Sequence, residues 1–409
     1  MNHSYIIDAI RTPIGNFSGS LSTIRADDLA ALTIKELVRR NPNIPTEMID
    51  EVILGNHNQA GEDNRNVARM ATLLADLPFT VPAQTVNRLC ASGMSAVIDA
   101  SRSIMVGDAE IMIAGGMEHM TRSPWVISKT SKPFGNDAQM VDSSFGWRFI
   151  NPKMQAMYGT EAMGMTAENL VEIYKISRED QDLFAFNSHQ KAFTAQQSGR
   201  LAEEIIAVEL PTLRGRSDGS GAGGGFFDKD EFIKGNSTLE KLATLKPAFK
   251  KEGGSVTAGN SSGLNDGSAA MFLASENAIK TYNLLPKARI VASAVVGVEP
   301  RIMGIGPVGA TQKALKKAGL TLNDIDVIEL NEAFAAQSLA CTRTLGLADN
   351  DSRINPNGGA IALGHPLGMS GARIIQSAAV ELQHQNKKYA LCTMCIGVGM
   401  GYAVIIERV

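Results

Sequence analysis

The sequence predicts an α/β protein made of two similar halves with a loop-rich segment inserted between them. Short apolar runs alternate with stretches of helical apolar spacing, and aromatics are few, which favours helix-covered and mostly parallel sheets. One helix–strand unit occurs twice. Gly93-Met94-Ser95-Ala96 opens a helical stretch to Met105, followed by the strand Ile111-Met112-Ile113-Ala114 and Gly115-Gly116; Gly368-Met369-Ser370-Gly371 opens a second, followed by Tyr389 to Met394 and more glycines. A second echo precedes each copy: Ile49-Asp50-Glu51-Val52-Ile53-Leu54 resembles Ile325-Asp326-Val327-Ile328-Glu329-Leu330. Two echoes in the same order indicate duplication of an α/β half.

The first half is assigned residues 1–120 and 252–275, the insertion 121–251, and the second half 276–409. The insertion reads as polar and irregular, and such segments commonly carry binding surfaces. Its glycine run includes Gly219, Gly221 and Gly224 in a Gly-x-Gly-x-x-Gly spacing. No strand leads in and no helix leaves, so a surface loop accounts for it better than a dinucleotide site. Tyr389 to Ile406 carries no charge, but the glycines at 397, 399 and 401 divide it into two buried strands and argue against a membrane helix.

A chain of 409 residues exceeds what one core usually covers. With 44% hydrophobic and 20% charged residues it reads as an ordinary globular protein. A net charge of −3 offers no positive field for nucleic acid. Four cysteines, at 90, 341, 392 and 395, are too few for a disulfide framework and point to a reducing compartment. The first residues lack a signal-peptide pattern, so a cytoplasmic location is expected.

Three residues carry the chemistry. Cys90 stands where an extended segment turns into a helix, a position that biases a thiol toward thiolate. His365 is held between Gly364 and Pro366 and can accept a thiol proton, giving a nucleophile–base pair. Cys395 ends an apolar strand that breaks into glycines. Alternation puts it and Cys392 on opposite faces, so Cys395 alone meets the turn, where it can donate and accept protons. The spacing also admits half a zinc site or a redox pair, but no second ligand pair follows and the motif does not start a helix. The backbone N–H of Gly397 suits an oxyanion or enolate. Asn331 ends its strand with an amide that can hold a water, or else cap a helix.

Taken together, Cys90 in its Ala-Ser-Gly-Met context, Asn331-Glu332-Ala333-Phe334, Gly364-His365-Pro366 and Cys395-x-Gly-x-Gly resemble the four signature blocks of thiolases. Arg11-Thr12-Pro13-Ile14-Gly15 and Thr257 to Gly263 fit the same family, and the resemblance spans the chain. It implies two halves stacked in five layers, and CoA-dependent cleavage of a 3-oxoacyl-CoA to acetyl-CoA and a shortened acyl-CoA. In that scheme Cys90 attacks, His365 activates it, His365 and a water held by Asn331 make one oxyanion hole, the N–H groups of Cys90 and Gly397 make the other, and Cys395 protonates the enolate. No metal or permanent cofactor is implied; CoA is a substrate. CoA contacts map onto Met163, Lys234, Phe249, Ala258, Ser262, Ala333 and Phe334. Lys234 stands where relatives often carry arginine, and Ala162 where they carry histidine. Gln59 to Asn66 and Phe145 to Pro152 look like 3-oxoadipyl-CoA thiolases of aromatic degradation, with Arg148, Arg65 or Arg69 available to a distal carboxylate. Asp230 to Lys234 and Lys246 to Phe249 look more like acetoacetyl-CoA thiolases, leaving an acetoacetyl or broad 3-oxoacyl substrate as the alternative. A non-catalytic CoA-binding relative would lack one of Cys90, Asn331, His365 or Cys395, and all are present. The family also implies a homodimer or homotetramer.

Overall fold

Branched apolar runs bounded by glycine or polar turns form the strands, and glycine- or serine-started stretches form the helices. The computed structural model describes residues 2–211 and 225–409; Gly219, Gly221 and Gly224 lie outside them. The first half begins with β1 (Tyr5–Arg11), β2 (Gly15–Asn16), α1 (Ala26–Arg40), β3 (Glu51–Gly55), α2 (Val67–Leu74), β4 (Ala83–Val86), α3 (Ser92–Val106) and β5 (Ile111–His119). Next come β6 (Trp125–Ile127), β7 (Met140–Asp142), α4 (Pro152–Tyr158), α5 (Met163–Tyr174), α6 (Arg178–Gln197), β8 (Val208–Leu210), β9 (Gly225–Phe227) and α7 (Leu239–Ala243), before β10 (Asn265–Ala274) and α8 (Glu276–Tyr282). The remainder is β11 (Ala288–Gly297), α9 (Gly306–Ala318), β12 (Val327–Leu330), α10 (Ala335–Thr344), α11 (Ala360–Leu363), α12 (Leu367–His384), β13 (Tyr389–Ile396) and β14 (Met400–Arg408).

The main strands run in the order β12-β13-β14-β11-β1-β10-β5-β3-β4, joined at the centre by the short pairing of Tyr5 and Ile6 with Arg289 and Ala288. Each side repeats one pattern. β1–β10 and β10–β5 are antiparallel and β5–β3 parallel; β11–β14 and β14–β13 are antiparallel and β13–β12 parallel. β4 pairs parallel with β3, and the parallel bridge Ile328–Ile354 takes the corresponding place in the second half. The duplication therefore extends to strand order and direction. The sheet is mixed, which corrects the expectation of mostly parallel strands. A three-residue turn between β13 and β14 forces them antiparallel, and apolar alternation carries no information about direction.

Strand alternation divides the interior into three cores. Ile7, Val52, Leu54 and Phe272 pack against α1 and α2; Leu391, Ala403 and Ile405 pack with Val308 and Leu315 of α9. Between them, the other faces of both halves close on α3 and α12, giving helix, sheet, helix, sheet and helix in five layers. The repeated glycines explain the centre. A Cβ on Gly93 would lie 2.5 Å from the Gly368 carbonyl oxygen, and one on Gly371 would lie 2.4 Å from the Met94 nitrogen. The two helices thus meet backbone to backbone near their N-termini.

Between 121 and 251 the chain is more ordered than its text suggests, because α5 and the 20-residue α6 lie there. The buried side of α6 includes Gln181, Asp182, Ser188 and His189, so no apolar stripe betrays it. Those groups find buried polar partners: Asn260 donates to Asp182 at 2.9 Å and Ser188 to Glu332 at 2.6 Å. The uncharged stretch near the C-terminus forms β13 and β14, and among the described residues no helix is long and apolar enough to cross a membrane.

Candidate active site

The turn between β4 and α3 presents Cys90. Leu89 is held at φ 48°, a conformation costly for a branched side chain, and Ser92 secures it by accepting from the Arg88 N–H at 2.9 Å and donating to the Leu89 carbonyl at 2.6 Å. Facing it is the β13–β14 turn, where Val398 and Gly399 take φ of 64° and 89°. Cys90, Leu89, Gly397 and Val398 line a cavity of about 270 Å³, with His57, Asn87, Phe145, Trp147, Arg148, Met163 and Leu367 among its other walls.

His365, Asn331 and Cys395 are buried behind that lining. Gly364, at φ 104°, leads into His365, and a Cβ there would strike the Asn265 side chain. The His365 N–H donates to Asn265 Oδ1 at 3.0 Å. Its Nδ1 lies 2.6 Å from Ser370 Oγ, whose own hydrogen goes to the Pro366 carbonyl at 2.9 Å. Serine has a single proton, so the ring must donate through Nδ1, leaving Nε2 unprotonated and able to accept. Asn331 Nδ2 approaches that Nε2 at 3.4 Å, while Asn331 Oδ1 is buried with no protein partner. Asn331 does not cap a helix, since Phe334 is the residue that precedes α10. Burial, reinforced by Arg373 and His57, lowers the His365 pKa to about 3, so the ring is neutral at working pH.

Cys90 departs from the expected thiolate. Burial pushes its thiol above the ordinary value, while the N–H groups of Gly397 and of Cys90 itself pull the other way. A thiol held in its protonated form needs a base to take its proton as it attacks. The thiol of Cys395 is raised well above its usual value, first by burial and then by the neighbouring sulfurs of Cys90 and Cys341. Cys392 lies on the opposite face, in the central core against α12, with its Sγ 3.4 Å from the Ile374 carbonyl.

Other expected residues gather in part. Met163, Phe249, Ala333 and Phe334 pack in one cluster with Cys395, and the Phe249 and Phe334 rings meet edge-on at 6.1 Å. Ser262 joins them by donating its N–H to the Ala333 carbonyl at 3.0 Å. Lys234 and Ala258 are exposed; Lys234 has no ion pair among the described residues, and its ammonium lies 5.0 Å from the Phe232 ring centre. Of the three arginines offered to a carboxylate, Arg148 alone reaches the cavity. Arg69 is spent on the carbonyls of Val81 and Phe79 at 2.6 and 2.9 Å, and Arg65 is exposed outside the lining. The sequence reading missed His57, Asn265, Ser370 and Glu118. Only Ser370 left a signal, one helical turn beyond Pro366.

Glu118, at the end of β5, is 1% exposed. It accepts from the N–H groups of His57 and Gly368, each at 2.9 Å, and of Asn58 at 3.1 Å. Burial raises it to about 7 against the pull of those donors.

A thiol lining the cavity, with a neutral imidazole and a second protonated thiol buried behind that lining, is an arrangement whose chemistry suits acyl transfer through cysteine. The chain matches the thiolase N-terminal domain over residues 4–277 and the thiolase C-terminal domain over residues 284–408. It is 55% identical, over the whole of both chains, to the beta-ketoadipyl-CoA thiolase of Acinetobacter baylyi and to the 3-oxoadipyl-CoA/3-oxo-5,6-dehydrosuberyl-CoA thiolase of Escherichia coli. Crystal structures of the Bacillus anthracis acetyl-CoA acetyltransferase and of human mitochondrial 3-ketoacyl-CoA thiolase each superpose with a TM-score of 0.90 at 40% identity, covering 100% of this chain and 99% of theirs. The chain belongs to the thiolase family and is an acyltransferase.

Proposed function

We propose that this thiolase cleaves 3-oxoadipyl-CoA with CoA, giving acetyl-CoA and succinyl-CoA, in the breakdown of aromatic compounds. The observation that carries this reading is Arg148. Among the described residues it is the one charged side chain lining the cavity at Cys90, and its hydrogen bonds go to Asn58 rather than to an acid. Its Nη1 and Nη2 each donate to Asn58 at 3.1 Å, which leaves guanidinium N–H groups for the distal carboxylate. The full-length likeness to relatives named for that substrate supports the same choice.

Cys90 attacks the 3-oxo carbon as His365 Nε2 takes its proton. The oxyanion forms beside that ring and the amide of Asn331. The bond between C2 and C3 breaks, and the acetyl-CoA enolate takes a proton from Cys395, stabilised by the N–H groups of Cys90 and Gly397. CoA, deprotonated by the thiolate left on Cys395, then removes succinyl from Cys90, which leaves as a thiolate and takes back its proton from His365, so both thiols and the neutral base are restored. The pantetheine arm passes Met163, Phe249, Ala258, Ser262, Ala333 and Phe334, with Lys234 at the nucleotide phosphates. The enzyme works in the cytoplasm as a homodimer or homotetramer. Two features support association: β4 is an open sheet edge, and Trp125, Ile127 and Met140 on the β6–β7 hairpin are exposed.

A panel of dicarboxylic and monocarboxylic 3-oxoacyl-CoAs tests the substrate. The kcat/KM for 3-oxoadipyl-CoA should exceed that for acetoacetyl-CoA by on the order of a hundredfold, and Arg148→Met should erase the difference. Equal or better turnover of acetoacetyl-CoA by the unmodified enzyme rejects the assignment. Cys90→Ser should leave no acyl-enzyme detectable by mass spectrometry.

A further inference from the structure

We infer that Glu118 is a positioning residue that sets Arg148 against Cys90. Glu118 touches neither cavity nor nucleophile directly, and the acyl-transfer steps do not use it. Its carboxylate gathers the N–H groups of His57 and Asn58 from the loop after β3, and that of Gly368 from the first turn of α12. Asn56 Nδ2 adds a longer contact at 3.4 Å. One buried side chain thus ties a first-half loop to the helix that begins just after His365. The loop passes the constraint outward. Asn58 receives both Arg148 donors, on its side-chain and backbone oxygens, and its own amide is fixed by Ser123 at 2.6 Å and by Ser143. Arg148 itself lies in a segment poor in regular structure between β7 and α4, so Asn58 supplies its two hydrogen-bonded anchors. The guanidinium is therefore placed relative to the catalytic helix through Glu118 and Asn58 in series.

This inference rests on the proposed role of Arg148, but its test needs no acyl substrate. The rates at which iodoacetate and iodoacetamide alkylate Cys90, read on the Cys90 peptide by mass spectrometry, report the positive charge in the cavity that Cys90 and Arg148 both line. Arg148→Met should lower the iodoacetate-to-iodoacetamide ratio by on the order of tenfold. Glu118→Gln should lower it nearly as far, although it removes a negative charge and by electrostatics alone would raise the ratio. In the Arg148→Met background Glu118→Gln should produce no further fall, since residues acting in series are non-additive. Asn58→Ala, which leaves Glu118 intact, should move the ratio in the same direction and serves if Glu118→Gln does not fold. A ratio unchanged or raised in Glu118→Gln, or an equal fall with and without Arg148, overturns the inference; for Asn58→Ala an unchanged ratio does so. If the acyl-CoA panel shows no dicarboxylic preference, the substrate assignment fails, while the alkylation ratios still decide the role of Glu118.

Discussion

Ser370 Oγ sits 2.6 Å from Nδ1 of His365 and sends its own hydrogen to the Pro366 carbonyl, so a serine one turn into α12 selects the histidine tautomer. Removing it frees Nδ1 to lose its proton and Nε2 to carry one, which blocks the base. Ser370→Ala should lower kcat/KM by on the order of tenfold to a hundredfold with little change in fold. Ser370→Thr, which keeps the hydroxyl, should recover part of the loss. Equal kcat/KM in Ser370→Ala and the unmodified enzyme would show that the tautomer is fixed elsewhere.

Burial of the imidazole also dictates the acid limb. An ordinary histidine stops accepting protons as pH falls through 6.5, whereas His365 does so only near 3. Formation of the acyl-enzyme from acetyl-CoA in a single turnover should therefore stay flat from pH 7.5 to about 5, without a histidine inflection. The stability consequence has a definite sign. Between 6.5 and the lowered values of His365, His57 and His189, about 3 for the first and about 4 for the others, the unfolded chain binds more protons than the folded one. Their contribution is complete above 6.5 and is lost as pH drops through those values. Urea midpoints measured from pH 6.5 downward, with His189→Gln as the comparison, report it: the substitution should flatten the decline.

Gly93 and Gly371 bring the two central helices into backbone contact, and that contact fixes Cys90 and His365 on opposite helix entrances. A methyl at either glycine meets backbone, which cannot rotate away. Gly93→Ala should destabilise the fold by about 3 kcal/mol, read from the denaturant midpoint, and should depress activity through the displaced turn. Gly107→Ala, at a helix end where a Cβ would meet only the Asn2 side chain at 3.9 Å but φ is 86°, should cost about 1 kcal/mol and spare activity.

Much of this architecture was legible in the text of the chain. The paired Gly-Met-Ser helices and the Asp-Val-Ile strands announced the duplication, because glycine at a helix crossing and branched residues in a strand are local necessities. Cys90, His365 and Cys395 were legible because each lies at or beside a turn: Cys90 between β4 and α3, His365 between Gly364 and Pro366, and Cys395 near the end of β13, just before the glycines of the β13–β14 turn. Strand direction was not, since alternation is identical either way. Helix α6 was hidden because its buried side is polar. The upward push of burial on the Cys90 thiol could not be read, because a position before a helix is visible in sequence while burial is not. Glu118 and Asn265 were invisible, since their partners are backbone groups of loops distant in the chain.

In the proposed reaction Cys395 serves one half-reaction and not the other. Its thiol, raised far above the ordinary range by burial and by the adjacent sulfurs, stays protonated and so stands ready as an acid. Protonating the enolate requires that proton; exchanging an acyl group between Cys90 and CoA involves no C2 proton and depends on it only for handling the CoA thiol. Cys395→Ala should therefore lower cleavage of 3-oxoacyl-CoA by about 10³-fold or more. Acylation of Cys90 by acetyl-CoA, measured on the intact protein, should survive within about an order of magnitude, because His365 and its partners Asn265, Ser370 and Asn331 are untouched. Loss of acylation in step with cleavage would mean that residue 395 supports the nucleophile itself and that the division of labour between the two thiols is wrong.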